Sequence, residues 1–321
     1  PLTERNLMPL DTLRRAILFG MKENLMIQYV YPEYELPEEY NEVIESIDHV
    51  KIGRDVAVYN DVPKSIAAEN IVLRLSVADF IAKQYDIAAV LPQVTRLNIC
   101  LTDVPNFKDE QIEEYKKALS SLNAVLLNLY KKGKQPQLNI LTDRLQLDKM
   151  HNCDAGVNNI TIAPNGKFYL CPAFFYDERM GINNRLNHHK PQHDYSVGDI
   201  DAGLQIPNQQ LLKLDHAPLC RICDAYHCNR CIWLNQKLTW DANTPSHQQC
   251  VLAHLERNAS RELQRMLFAA PEDGCVPNAA DEPSASRVKT NASDKPSAPQ
   301  VIPNEIKEIT YLDPFDVREQ F

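Results

Sequence analysis

PLCRICDAYHCNRCIWLNQ, residues 218–236, places four cysteines, Cys220, Cys223, Cys228 and Cys231, within twelve positions. Reduced thiols at such spacing usually bind metal, and the question is how many centres these four serve. Two CxxC knuckles that share one tetrahedral zinc are usually separated by about fifteen residues. Here only Asp224 to His227 stand between the pairs. So short a connector makes one shared ion awkward, and dividing the four between two neighbouring centres relieves the strain. Cys153, Cys171 and Cys250 are available to complete the two sets. Iron-sulfur clusters suit this arrangement, because tight thiolate runs can feed two different clusters. The sequence reads as two centres.

The remaining composition agrees with a reduced, intracellular setting. Nine cysteines are an odd number, and PLTERNLMPL at the start lacks the charged-then-apolar pattern of a signal peptide. No run of about 18 apolar residues is present to span a bilayer, and the chain is expected to be cytoplasmic with no membrane partner. It begins at Pro1 rather than Met, which leaves open a leading segment. With 34 Lys plus Arg against 43 Asp plus Glu the formal charge is −9, which argues against a nucleic-acid binder whose affinity rests on phosphate contacts.

Outward from the cysteine run, the first 150 residues alternate helical and extended patterns. LDTLRRAILFGMKENL carries Leu10, Leu13, Ile17 and Met21 at helical spacing behind an expected Asp11 cap, and LMIQYVYP reads as a short strand ended by Pro32. LPEEYNEVIESI opens on Pro37 with acidic residues in its first turn, which suit the positive end of a helix. IVLRLS, RLNICLTDV and QLNILTD read as strands, with Cys100 as a buried small apolar residue. Between Lys108 and Lys132, Ile112, Tyr115, Leu119, Leu122, Leu126 and Leu129 step by three and four along one helix face. Such alternation predicts a mostly parallel sheet with helices outside, either an open α/β layer or a partial barrel.

The pattern changes at Cys153. NNITIAPNGKFYLCPAF predicts a hairpin about Asn165-Gly166, a dipeptide that tolerates positive φ at both central positions. YSVGDI reads as a further strand, and SHQQCVLAHLERNASRELQRML as a helix capped by Ser246 with Cys250 near its start. The segment with His188, His189 and His193 has no periodicity and reads as a solvent loop rather than a metal site. Residues 271 to about 300 are rich in Pro, Ala, Ser and Asn, so disorder is expected there, with Cys275 an unligated thiol. The last stretch, IPNEIKEITYLDPFDVREQF, reads equally as a docking segment or a frayed end. Three regions follow: an α/β domain over 1–150, a cysteine-rich domain over 151–269 and a mostly disordered tail over 270–321.

The order Cys153, twelve residues, Gly166, four residues, Cys171, then Cys220, Cys223, Cys228, Cys231 and Cys250 resembles the seven-cysteine SPASM domain. That domain forms the C-terminal half of many radical SAM peptide-modifying enzymes and holds two auxiliary [4Fe-4S] clusters. The resemblance implies that Cys220, Cys223, Cys228 and Cys250 hold one cluster, and that Cys153, Cys171 and Cys231 serve the other. The central run differs from the family pattern: its second and third cysteines are followed by four and two residues rather than five and three. The first cluster often takes a further upstream cysteine, and none stands close before Cys153, which leaves that cluster with an open iron or absent. The N-terminal half is similar to a degenerate radical-SAM-like partial TIM barrel. EYELPEEYNEVIES follows the first strand without the CxxxCxxC motif that binds the S-adenosylmethionine cluster, and no GGE-type segment follows the next strand. Over residues 9 to 268 the chain resembles the CXXX repeat peptide maturases.

The implied function is maturation of a ribosomally made, Cys-rich precursor peptide, with one or two [4Fe-4S] clusters binding substrate or relaying electrons. A partner maturation enzyme would supply the radical chemistry, and the basic Arg179 and Arg185 could meet an acidic leader. The alternative is a non-catalytic peptide-binding module whose cysteines hold structural zinc or one cluster. A CxxC thiol-disulfide oxidoreductase is the third class, and four crowded thiols with distal partners fit metal better. No acid, base or nucleophile with a partner stands out; Glu110 with Glu113 and Asp11 with Glu23 read as solvated helix charges.

Overall fold

The computed structural model describes residues 7–31, 34–52, 56–150, 153–180, 194–228 and 230–268, all within the unit that runs from Pro1 to Ala270. The expected disordered tail with Cys275, the loop bearing Arg185, His188, His189 and His193, and the side chain of Arg179 lie outside the described residues.

Helix α1 (Leu10–Lys22) has Pro9, not Asp11, at its N-cap, so the Asp11 carboxylate sits in the first turn as a charge at the helix dipole rather than as a cap. It buries Leu13 and Ile17 against Tyr40 and Ile44 of α2 (Glu38–Glu45), and the Tyr40 hydroxyl donates to the Met8 carbonyl at 2.8 Å. Strands β1 (Gln28–Val30) and β2 (Val50–Ile52) pair in parallel as a separate two-stranded sheet.

The main sheet is parallel and runs in sequence order: β3 (Val56–Tyr59), β4 (Asn70–Leu75), β5 (Arg96–Leu101) and β6 (Gln137–Leu138). Ile71, Leu73 and Leu75 of β4 alternate inward and meet Leu97 and Ile99 of β5 on the same face, as a period of two requires. Cys100 falls on the opposite face and is exposed, which corrects the expectation of a buried thiol. Helices α3 (Val77–Ala82) and α4 (Gln84–Val90) link β4 to β5, and Ser76 caps α3 through the Asp79 amide. The long helix α5 (Ile112–Lys131) lays Tyr115, Leu119, Leu122 and Leu126 on the core, as its spacing predicts. Burial of each such leucine contributes about 1.5–3 kcal/mol.

The strand expected over QLNILTD stops after two residues and becomes α6 (Asn139–Thr142). The Asn139 amide replaces the next ladder bonds: its Oδ1 accepts from the Ile99 amide at 2.8 Å and its Nδ2 donates to the Ile99 carbonyl at 3.0 Å. Thr142 Oγ1 closes the turn by accepting from the Leu138 amide at 2.8 Å.

Past Cys153 come the expected hairpin, β7 (Thr161–Ile162) and β8 (Phe168–Tyr169), then α7 (Pro172–Met180), a two-stranded antiparallel pair β9 (Gly198–Asp199) and β10 (Gly203–Leu204), α8 (Ile232–Thr239) and α9 (His247–Phe268). The turn differs from the two-residue type. Only Gly166 has positive φ, +76°, and the Ala163 amide donates to the Lys167 carbonyl at 3.0 Å, giving a three-residue loop closed by glycine. Ser246 precedes α9 and accepts from the Gln249 amide at 3.3 Å, as expected. Helix α9 returns to the first half of the chain: Leu252, Leu255 and Leu263 join the core of the main sheet, and the Asn123 amide of α5 donates to the Ala259 carbonyl at 2.7 Å. The chain is thus mixed α/β with a four-stranded parallel sheet. Among the described residues no helix is long and apolar enough to cross a membrane.

Candidate functional site

The run from Ala217 to Cys231 is a chain of tight turns. The Cys220 amide donates to the Ala217 carbonyl at 3.1 Å, the Cys223 amide to the Cys220 carbonyl at 3.1 Å, and the Cys228 amide to the Ala225 carbonyl at 2.8 Å. The short connector between the CxxC pairs is pinned residue by residue. Asp224 takes Arg257 at 3.1 Å and Arg144 at 3.2 Å, with Arg261 on the same carboxylate. Arg144 also covers the Tyr226 ring, 5.1 Å from its centroid, and donates to the Asp224 carbonyl at 3.0 Å. Ala225 is fully buried. His227 Nε2 lies 3.1 Å from Glu256 Oε2, and the other Glu256 oxygen accepts the Tyr115 hydroxyl at 2.7 Å. Three arginines beside one carboxylate outweigh the burial that would raise it, and hold Asp224 below the usual carboxylate range.

These anchors bring Cys223 and Cys228 against α9. Cys223 Sγ lies 3.5 Å from His254 Nε2 and accepts from the Ala225 amide at 3.4 Å. Cys250 sits four residues before His254, and with Arg257 and Arg261 these positions form one stripe of the helix. That stripe faces the connector through its contacts to Cys223 and Asp224.

The thiols fall into two groups by mutual influence. Burial first, then the neighbouring Cys220, Cys223 and Glu256, push the Cys228 thiol up to about 12. Cys220 is pushed up to about 11 by burial and Cys223, with Arg230 opposing. Cys231, at the N-cap of α8 with its sulfur accepting from the Leu234 amide at 3.5 Å, is also pushed up to about 11, by burial and by Cys153 and Cys171. Cys171, just before α7, is raised by burial and by Cys153. The amides at these two helix N-termini favour thiolate, but desolvation wins at both. Cys153, Cys171 and Cys231 therefore form one group, and Cys220, Cys223 and Cys228 the other. Between them lies Arg230, 1% exposed, whose guanidinium is influenced by Cys220 of one group and Cys153 of the other. It donates to the Asn243 side chain and the Leu212 carbonyl, each at 2.5 Å, and its backbone stands at φ +44°.

None of the eight described cysteines is in a disulfide. Soft sulfur donors in two groups of three are matched to a thiolate-preferring metal or cluster, and a bound cation would draw off the protons that burial retains. The donor atoms are not already converged, since no group of three or more described His, Cys, Asp or Glu side chains is arranged to hold one metal ion. Cys100 stands on β5 of the main sheet and is exposed.

Sequence reasoning treated DAYH only as a spacer and missed Asp224, His227 and Glu256. The partners Arg144, Arg257 and Arg261 are distant along the chain; only the helical spacing of Arg257 and Arg261 hinted that they act together. No protein-family model matches this sequence, and no curated protein matches it.

Proposed function

We propose that this chain takes part in the maturation of a ribosomally made, cysteine-repeat peptide, and that its cysteine-rich half is a SPASM-like domain holding one or two [4Fe-4S] clusters. Cys220, Cys223 and Cys228 with Cys250 would hold one, and Cys153, Cys171 and Cys231 the other. The observation that carries this reading is the grouping of Cys231 with the distant Cys153 and Cys171, although Cys228 is three residues away in sequence. The SPASM-type order of cysteines implies that partition. The sequential parallel order of β3 to β6 supports a degenerate, radical-SAM-like partial barrel in front of it.

When bound, such clusters supply either an electron relay or an iron that takes a substrate thiolate. This chain's own residues would set the thiolates in place through the Asp224 and Glu256 anchors, and Arg230 would balance negative charge between the two groups. Residues 1–321 carry no CxxxCxxC motif, and in this reading a partner maturation enzyme would supply the radical step. The test is peptide binding and peptide mass on protein purified without oxygen, with and without that partner. Retention of a Cys-repeat peptide, lost in Cys153→Ser or Cys228→Ser, supports the reading.

A second reading draws on the pinned connector. Three arginines on one buried carboxylate and a buried His-Glu-Tyr chain are what a structural staple requires. Structural zinc in a non-catalytic peptide-binding module would use the same thiols. One zinc per chain without sulfide would favour it.

A further inference from the structure

The main sheet is parallel throughout, and sheets of this kind are almost always covered on both faces. One face meets that rule, since Ile71, Leu73, Leu97 and Ile99 are buried in the core. The other face is open along β3, β4 and β5. There the register sets Val58 beside Val72 and Asn98, and Arg74 beside Cys100. Val56 and Val58 are 37% and 56% exposed, and Arg74 and Cys100 are exposed as well. Apolar side chains on the open face of a parallel sheet call for a cover.

The extent of the face narrows what that cover is. Four strands about 4.8 Å apart and some five residues about 3.3 Å apart make a face of roughly 300 Å², well short of the roughly 800 Å² per partner that a stable dimer needs. That area suits a single helix, about 10 Å across. A segment laid on a sheet's face, unlike one added at its edge, receives no backbone hydrogen bonds from the sheet. It must satisfy its own N–H and C=O groups, which a helix does and an extended segment does not. Charge narrows the choice further. Arg96 is engaged by Asp143 at 2.8 Å, Gln137 at 2.8 Å and Asn98 at 3.0 Å, whereas Arg74 joins no ion pair among the described residues. The complement of Arg74 is a carboxylate.

We propose that this open face is a docking site for an acidic amphipathic helix of a protein partner, which lays its apolar stripe on Val56, Val58 and Val72 and sets a carboxylate on Arg74. Neither a metal at the cysteines nor a peptide substrate is required for this docking.

The test titrates the full chain with a labelled synthetic helix about sixteen residues long, with leucines at i, i+3, i+4 and i+7 and flanking glutamates, and with a second helix that carries lysines in their place. Binding is read by fluorescence anisotropy, and cover of the face by the rate of alkylation at Cys100, resolved by mass. The glutamate helix should saturate and slow alkylation at Cys100 at least about 10-fold, and the lysine helix should bind at least about 10-fold more weakly. Arg74→Glu should reverse that preference, and Val58→Glu should abolish binding of both helices. Both substituted side chains are exposed, so an unchanged melting temperature confirms that the variants fold. Absence of saturable binding, binding that leaves Cys100 alkylation unchanged, or binding that survives Val58→Glu would overturn the proposal. A dimeric chain that becomes monomeric in Val58→Glu would also overturn it, by putting a second copy on this face.

Discussion

Cys228, Cys220 and Cys231 hold their protons to about 12, 11 and 11 in the fold, against an ordinary 9.0. The folded chain thus keeps protons that the unfolded chain gives up, so this contribution to stability is full below about pH 9 and is lost as pH rises toward about 12. The melting temperature of the reduced, metal-free protein is expected to fall between about pH 8 and about pH 10.5. A metal-loaded protein should behave in the opposite sense, because ligand thiolates are lost to protonation as pH falls. A metal-free protein whose melting temperature does not move over that range would contradict this account. Asp224 makes a second prediction at this scale. Asp224→Asn keeps the shape and strands three guanidiniums, two of them on side chains no more than 11% exposed. The expected loss is about 3 kcal/mol by urea unfolding. Removing Asp61 from the solvent-exposed pair with Lys83 should leave the urea midpoint nearly unchanged.

Among the elements, α1, α5 and α9 were legible because each shows an apolar stripe at helical spacing, and packing needs no further instruction. β6 was not, because the Asn139 side chain takes the ladder bonds of Ile99 and turns the chain into α6. A side chain that substitutes for backbone across forty residues leaves no local signal. The hairpin at Gly166 was legible and its turn type was not, since Asn-Gly suits both a two-residue turn with two positive φ angles and the three-residue loop found, in which only Gly166 has one. The candidate site divides in the same way. Its clustered thiols were legible from spacing and their partition came only as what the SPASM resemblance implies, whereas His227, Glu256 and Tyr115 become a unit only when α5 and α9 pack together. A prediction at this scale concerns the pair β9–β10. Gly198 has φ +111°, and a Cβ there would stand 2.0 Å from the Gly203 carbonyl oxygen. Gly198→Ala should therefore cost more than about 2 kcal/mol and open that pair. Hydrogen exchange at the Gln205 amide, which donates to the Val197 carbonyl at 2.7 Å, would report it; unchanged protection there would contradict the strain argument.

At the scale of the whole unit, α9 joins two kinds of stabilisation. One part of it buries Leu252, Leu255 and Leu263 against the sheet core, and another presents His254, Arg257 and Arg261 to the cysteine connector. Metal binding at the connector should therefore stabilise the α/β core as well, and Leu263→Ala should lower stability by about 2–5 kcal/mol and weaken metal retention with it. The measurement that tests the central claim most directly is iron, sulfide and zinc content per chain on protein purified without oxygen. About four to eight irons with matching sulfide is the result predicted for SPASM-type clusters; about one zinc with no sulfide, or no metal at all, would contradict it.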